Sequence, residues 1–176
     1  MTDHIEPLPL DWTIGAADIP ERGLKGSRTA TDMERASLAE ALVLLSCGSL
    51  EATYSITPIA SGYRLEGGID ASVNQACVIT LEPIASRVAE SFSVDFKRDS
   101  SRATGDAGDL EILSGADVEP LVGDVIELGR IVYEALSAGL DPYPRKPGAE
   151  FDWSDPEQSS AGNNPFAVLG KLKDRS

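Results

Sequence analysis

The residue types that most often carry out catalysis are scarce in this chain. The only histidine is His4, and the only cysteines are Cys47 and Cys77. Acid–base and triad catalysis usually depend on a histidine among other reactive groups, and a structural zinc site usually needs four thiolate or imidazole ligands. No stretch combines a strand with the glycine-rich signatures of nucleotide sites. The sequence therefore predicts no catalytic residue, no metal site and no cofactor.

Both cysteines are predicted to be free and buried. Two thiols are too few for a disulfide framework. No Lys, Arg or His lies near Cys77 in the sequence to lower the pKa of its thiol. We therefore expect a buried strand cysteine that behaves as a small apolar residue. Cys47 lies near the end of a predicted helix, and we expect the same of it.

Carboxylates are the most abundant reactive groups. The chain has 29 Asp and Glu residues against 15 Lys and Arg, a net charge of −14. Residues 99–127 hold eight acids and one base, with Asp106, Asp109 and Glu111 near their centre. Acids of this kind can hold Mg²⁺ in a nuclease, but solvated surface acids vastly outnumber catalytic ones. Whether the acidic stretch docks a basic protein or only keeps the surface solvated stays open.

Basic residues form one small group early in the chain. Arg22, Lys25 and Arg28 are spaced by glycines in a segment predicted to be a loop or a weak strand. They could contact a phosphate or an acidic partner, although bases in such a loop more often balance neighbouring acids. They form a candidate partner-binding group.

The C-terminal residues contain an amphipathic segment. Residues 146–164 are rich in Pro, Gly, Ser, Asn and acids, which predicts a flexible acidic tail. Asn164 and Pro165 then suit the start of a short helix. The strip that follows could fold into a groove on a partner or pack back on its own domain. Its candidate binding residues are Phe166, Leu169, Lys171 and Lys173.

Two helices are predicted from apolar spacing. Thr31 and Glu34 have the spacing of a capping box, and the apolar residues that follow predict a helix over residues 31–46. A second helix is predicted to begin near Glu127 and to end at Gly139.

Between and around these helices the pattern predicts strands. A period of two indicates an antiparallel hairpin followed by a third strand. The expected fold class is α+β, an antiparallel sheet of about four to five strands packed with two main helices. This domain spans residues 8–145, and residues 146–176 form the flexible tail with its helix-prone end. The predicted strands are 8–14, 50–59, 62–78, 87–97 and a short one at 110–113.

The net charge restricts the partners and the compartment. A charge of −14 repels phosphate backbones and anionic lipid surfaces and attracts basic proteins. No stretch approaches the ~18 consecutive apolar residues that span a bilayer. The first twenty residues carry four acids and no Lys or Arg, unlike a signal peptide. We expect a cytoplasmic protein that makes no membrane contact.

Six segments carry a family signature through their order and spacing. They are ACVITLEP at 76–83, IELG at 126–129, EAL at 134–136, LDPYPR at 140–145, NPFAVL at 164–169 and KLK at 171–173. Together they resemble the YceD family, a bacterial and plastid family of domains of unknown function.

The resemblance implies a non-enzymatic role in ribosome assembly, namely the accumulation or maturation of large-subunit (23S) ribosomal RNA. With the charge, it predicts a basic ribosomal protein or large-subunit assembly factor as partner, and limited rRNA contact through the bases. The alternatives are a metal-dependent nuclease that uses the candidate acids and a direct RNA-binding protein. Family members often carry a Cys-x-x-Cys pair where this chain has Cys77 and Thr80, so the pair's metal or redox role is not carried over.

Overall fold

The computed structural model describes residues 8–98 and 117–150. These residues form a five-stranded sheet, a separate two-stranded sheet and two helices, which confirms the expected α+β class. The strands are β1 (Thr13–Gly15), β2 (Leu24–Thr29), β3 (Ser46–Ile59), β4 (Gly62–Ala76), β5 (Pro83–Arg98), β6 (Asp117–Leu121) and β7 (Val125–Glu127), and the helices are α1 (Asp32–Ala41) and α2 (Leu128–Gly139).

The five-stranded sheet has the order β2-β3-β4-β5-β6 and is mixed. Its first four strands pair antiparallel, but β6 runs parallel to β5, with Val94 opposite Asp117. The expectation of a purely antiparallel sheet is therefore wrong. A parallel neighbour needs a connection of about a dozen residues or more, and residues 99–116 are long enough to provide it.

The long strands β3, β4 and β5 confirm the predicted hairpin and third strand. β3 and β4 pair around a turn at Ala60 and Ser61. Side chains alternate along β4, where Leu65 is fully buried and Glu66 is exposed. We call the face that carries Leu65 the inner face and the face that carries Glu66 the outer face. The period of two in the sequence reflects this one-sided burial.

Helix α1 begins as predicted and ends earlier. The Glu34 amide donates to Thr31 Oγ1 at 3.3 Å, and the Thr31 amide donates to Glu34 Oε2 at 2.8 Å, which confirms the capping box. The predicted end at residue 46 is wrong, because the helix ends at Ala41 and Ser46 already begins β3. Val43 leaves the helix with a φ of 53°, a left-handed conformation that is unusual for a β-branched residue.

Helix α2 confirms the second predicted helix and covers the inner face of the sheet. Leu128, Ile131, Val132 and Leu136 are buried, at the spacing of one helix face. Its first turn lies against the backbone before β1, where the Gly129 amide donates to the Trp12 carbonyl at 2.9 Å.

The two-stranded sheet joins the start of the described chain to the entry of α2. β1 pairs antiparallel with β7, with Ile14 opposite Ile126. Of the predicted edge strand 8–14, only Thr13 and Ile14 lie in a strand, so that prediction is wrong in its limits. The predicted strand at 110–113 lies outside the described residues.

Candidate functional site

The strand β6 and the start of α2 bring several carboxylates together around one arginine. Arg130 lies in the first turn of α2, and β6 places Glu119 within reach of its guanidinium. Glu127 and Glu134 lie three residues before it and four residues after it, on the same side of the helix. We call Asp117, Glu119, Glu127, Glu134 and Arg130 the acidic edge.

Arg130 is held by three carboxylates. Its Nη1 donates to Glu134 Oε1 at 2.8 Å, its Nε lies 3.4 Å from Glu127 Oε2, and its Nη2 bonds Glu119 Oε2. Partial burial alone would lower the pKa of Arg130, but the hydrogen bonds that Arg130 donates to Glu119 and Glu134 outweigh burial and raise the pKa above its ordinary value. The arginine is therefore a permanent cation whose charge is more than balanced by its neighbours.

A cleft of about 340 Å³ opens beside this arginine. Its lining includes the apolar residues Phe96, Val122 and Val125 and the charged residues Glu119, Glu127 and Arg130. A Lys or Arg side chain has an apolar stem and a cationic head, so it matches both halves of such a cleft. The cleft therefore has an apolar part and a charged part, and the Arg130 side chain is itself one of its lining residues.

The candidate acids Asp106, Asp109 and Glu111 lie outside the described residues. They belong to the connection 99–116, which enters the acidic edge at Asp117. Within residues 8–98 and 117–150, no group of three or more His, Cys, Asp or Glu side chains is placed to hold a metal ion.

The candidate bases lie at the opposite edge of the sheet. Arg22 precedes β2 in an exposed turn, and Lys25 and Arg28 lie within β2, which forms a strand rather than a loop. Lys25 pairs with Ser55 on the outer face, whereas Arg28 pairs with Ala52 on the inner face. The structure therefore does not bring Lys25 and Arg28 onto one surface.

The outer face of the sheet is polar and balanced in charge. Arg64 donates to both carboxylate oxygens of Asp95, at 2.6 and 2.7 Å, and this bond lowers the pKa of Asp95. Arg87 pairs with Asp70 in the same way on exposed surface. Arg64 and Arg87 are therefore neutralised by neighbouring acids of the same face.

Cys77 is free and buried, as expected, and its thiol also has polar partners. It follows the last residue of β4 and is buried, and its Sγ accepts bonds from the amides of Thr80 at 3.5 Å and Lys146 at 3.4 Å. Hydrogen bonds from Thr80 and from the Lys146 amide lower the pKa of Cys77 to about 6. The sequence did not reveal these hydrogen bonds, because one of the donors, the Lys146 amide, is 69 residues away.

Residues 77–82 form a turn after β4, which we call the Cys77 turn, and this turn also holds the chain that follows α2. The Lys146 ammonium lies 2.9 Å from Glu82 Oε2 and lowers the pKa of that carboxyl. The Val78 amide donates to the Pro144 carbonyl at 2.9 Å. Both described cysteines are free, and Cys47 is buried in β3 rather than at a helix end.

A groove lies where α1 ends beside this turn. It has a volume of about 510 Å³, and its walls come from the end of α1, the end of β4, α2 and the chain after α2. Sequence reasoning missed it because the helix was extended through Val43, which instead projects at the rim. The candidate residues Phe166, Leu169, Lys171 and Lys173 lie outside the described residues. The residues that line this groove are Ala41, Leu42, Val43, Gln75, Ala76, Val78, Tyr133, Ser137, Leu140, Asp141, Pro142 and Pro144.

Comparison with known protein families identifies the family of this chain. The family model described as "Large ribosomal RNA subunit accumulation protein YceD" matches residues 65–173, more than half of the chain. The chain belongs to the YceD family. No curated protein and no solved structure matches the chain. The name of the YceD family connects the chain with accumulation of the large ribosomal RNA subunit.

The YceD match includes some of the candidate sites and leaves others outside. It includes most of β4, all of β5, β6 and α2, and therefore the acidic edge and the Cys77 turn. It also includes residues 164–173, beyond the described chain. The bases Arg22, Lys25 and Arg28 precede the match. Neither α1 nor α2, the helices of the described part, is long and apolar enough to cross a membrane.

Proposed function

We propose that this YceD-family chain is a non-enzymatic ribosome-assembly factor of the bacterial cytoplasm. It supports accumulation and maturation of large-subunit (23S) rRNA by binding a basic ribosomal protein or large-subunit assembly factor. The observation that carries the proposal is the acidic edge, in which Glu119, Glu127 and Glu134 surround a single arginine within the family match.

The mechanism is electrostatic. Three carboxylates on one guanidinium leave excess negative charge, and Asp117 and the adjoining acidic connection add to it. A basic protein is drawn to such a surface at long range. At close range its Lys and Arg stems pack on Phe96 and Val122 while their heads meet the carboxylates. Bound in this way, a cationic protein is kept from unselective contact with RNA until assembly.

The test compares two variants of the full chain with equal charge. In the first, Asp117→Asn, Glu127→Gln and Glu134→Gln neutralise exposed acids of the acidic edge. In the control, Glu21→Gln, Glu51→Gln and Glu66→Gln remove the same charge from exposed positions elsewhere. Each tagged chain is used to capture proteins from a bacterial lysate, and large-subunit ribosomal proteins, assembly factors and precursor particles are quantified.

We expect the wild type and the control to enrich the same large-subunit components. The acidic-edge variant loses most of that enrichment, on the order of tenfold, because several charge contacts of about 0.5 kcal/mol or more each are removed. Equal capture by both variants contradicts the assignment to the acidic edge. Absence of large-subunit components from the wild-type capture contradicts the proposed function.

A second measurement separates this function from a metal-dependent nuclease. Mg²⁺ and Mn²⁺ are titrated calorimetrically into the full chain and into a variant with Asp106→Asn, Asp109→Asn and Glu111→Gln. The proposal predicts the same weak, unsaturable heats for both, as for a solvated acidic surface. A saturable isotherm that the substitutions abolish would contradict a non-enzymatic role.

A further inference from the structure

A second cleft shares two lining residues with the cleft beside β6. It has a volume of about 240 Å³, and the side chains that it shares are Glu127 and Arg130. Its other lining residues come from the start of the described chain and are Leu8, Leu10, Asp11, Trp12 and Thr13. We call the cleft of about 340 Å³ the β6 cleft and the second one the β1 cleft. Because Glu127 and Arg130 line both, the two clefts adjoin at these side chains.

Each cleft contains a large apolar side chain that the fold leaves exposed. Val122 in the β6 cleft is 75% exposed, and Leu8 in the β1 cleft is 43% exposed. Phe96 lines the β6 cleft beside Val122, and Trp12 lines the β1 cleft beside Leu8; both of these aromatic residues are buried in the core. A partner that covers Val122 and Leu8 removes apolar surface from water in both clefts, which favours association.

The charge of the two linings selects a cation. Among the described residues, Arg130 is the only base that lines either cleft, and its guanidinium already bonds Glu119 and Glu134. Glu127 and Asp11, which also line the clefts, are exposed. Three acids therefore line the two clefts against one base that is already neutralised, so the clefts attract a cationic ligand and repel an anionic one.

Backbone bonds hold the walls of the two clefts together. The Gly129 amide donates to the Trp12 carbonyl at 2.9 Å, which fixes the chain of the β1 cleft against the first turn of α2. Ile14 pairs with Ile126, next to Glu127. The two clefts are therefore formed before a ligand arrives, and a ligand that spans both loses little free energy to ordering of the site.

We propose that the two clefts together bind one linear segment of the basic protein partner, in which a Lys or Arg lies between two apolar side chains. The base meets Glu127 where the clefts adjoin, one apolar side chain covers Val122, and the other covers Leu8. This inference rests on the proposed function and adds what distinguishes the partner, namely an apolar–basic–apolar pattern rather than positive charge alone.

Peptide binding to the full chain tests the proposal. Short overlapping synthetic peptides that tile the bacterial large-subunit ribosomal proteins and assembly factors are immobilised and probed with the chain. Each bound peptide is then labelled for fluorescence anisotropy, together with a scrambled peptide and with forms in which either apolar residue beside the base is replaced by Ser. The chain variants are Leu8→Ser and Val122→Ser. Their matched controls are Leu45→Ser and Val118→Ser, which replace exposed apolar residues that line neither cleft.

We expect the bound peptides to share a base between two apolar residues, and the scrambled peptides to bind about tenfold more weakly. Leu8→Ser and Val122→Ser each weaken binding about fivefold, whereas the matched controls stay within about twofold of the wild type. A peptide that has already lost one apolar residue becomes insensitive to one of the two cleft variants and stays sensitive to the other, because each apolar side chain occupies its own cleft.

Two results would overturn this inference and leave the proposed function in place. One is binding that follows peptide charge alone, with Leu8→Ser and Val122→Ser equal to the wild type. The other is absence of any bound peptide although the wild-type chain captures large-subunit components from the lysate. Failure of the proposed function is recognised separately, by a wild-type capture that contains no large-subunit component, and the inference then falls with it.

Discussion

The two edges of the five-stranded sheet carry opposite charge. The basic edge, β2, contains Lys25 and Arg28 and no acid, whereas β6 contains Asp117 and Glu119 and no base. The bases point to opposite faces of the sheet. At the acidic edge, by contrast, side chains from β6, β7 and α2 converge on Arg130.

The two edges therefore differ in what their charges do. The charges of β2 protect an edge strand, whereas those of the acidic edge belong to a candidate binding site. Charged residues on an edge strand prevent unwanted pairing with other chains, and isolated bases on β2 fit that role. Pro120 in β6 serves the same purpose, since proline offers no donor to a further strand. Only the acidic edge adds a cleft and a network of ion pairs, and only it lies within the family match. The predictions below test this difference.

The largest effect on the free energy of unfolding is expected at Gly129, where the first turn of α2 contacts the backbone before β1. A Cβ added at Gly129 would meet the Leu10 carbonyl oxygen at 2.2 Å, a backbone atom that cannot rotate away. Gly129→Ala should therefore lower the free energy of unfolding by about 3 kcal/mol, even though alanine favours helices. Urea denaturation measures the change. Ser137→Ala, exposed on the same helix, is the control and should stay within about 0.5 kcal/mol.

The next effect concerns the ion pair beside β6. Asp95 pairs with Val118 of β6 in register and is buried, and its pKa is lowered by Arg64. A carboxyl whose folded pKa is lowered contributes stability above its unfolded pKa and loses it as the pH falls through the folded pKa. Asp95→Asn should cost about 2 kcal/mol at neutral pH, and the deficit should shrink below about pH 4.

Unfolding of the wild type and Asp95→Asn at neutral pH and at about pH 3 checks this prediction. Asp70→Asn is the comparison, because Asp70 pairs with an arginine on exposed surface of the same sheet face. A deficit for Asp95→Asn that stays constant over this pH range would contradict the assignment to the ionised pair.

A smaller effect compares two arginines that each bind carboxylates. Arg130 is 25% exposed and has three acidic neighbours, whereas Arg87 is 75% exposed and has one. Arg130→Met should destabilise the protein by about 1–2 kcal/mol, because the acids then repel one another. Arg87→Met should cost less than about 0.5 kcal/mol. If the two variants unfold alike at low ionic strength, the acidic edge is not an interacting network.

The smallest effect is expected at the basic edge. Lys25→Gln with Arg28→Gln should change the free energy of unfolding by less than about 0.5 kcal/mol, because both side chains are exposed. In the lysate capture this variant should retain large-subunit components to within about twofold. Loss of capture here, comparable with that of the acidic-edge variant, would move the binding site to β2.

Local signals in the sequence were sufficient for much of the fold. The capping box at Thr31 and Glu34, the period of two in β3 to β5, and the apolar face of α2 each depend on residues a few positions apart. The end of α1 was misjudged because apolar residues continue at helical spacing through Leu45. Its amide instead donates to the Asn74 carbonyl of β4, a tertiary bond that spacing does not reveal.

The site was harder to predict because its parts are distant in the chain. Glu119 and Arg130 meet because β6 adds parallel to β5, a choice that depends on the long connection 99–116. The lowered pKa of Cys77 has two sources, Thr80 nearby and the Lys146 amide, which is 69 residues away in the chain. Abundant acid was visible in the sequence, whereas the grouping of particular acids around one arginine was not.

The most direct test of the central claim measures rRNA in cells. The natural copy of the chain is replaced by the acidic-edge variant with Asp117→Asn, Glu127→Gln and Glu134→Gln, or by the control with Glu21→Gln, Glu51→Gln and Glu66→Gln. The ratio of large-subunit to small-subunit rRNA is then quantified at equal levels of both proteins. We predict that the acidic-edge variant lowers this ratio and the control leaves it at the wild-type value. A normal ratio in both strains, or an equal fall in both, would contradict the account.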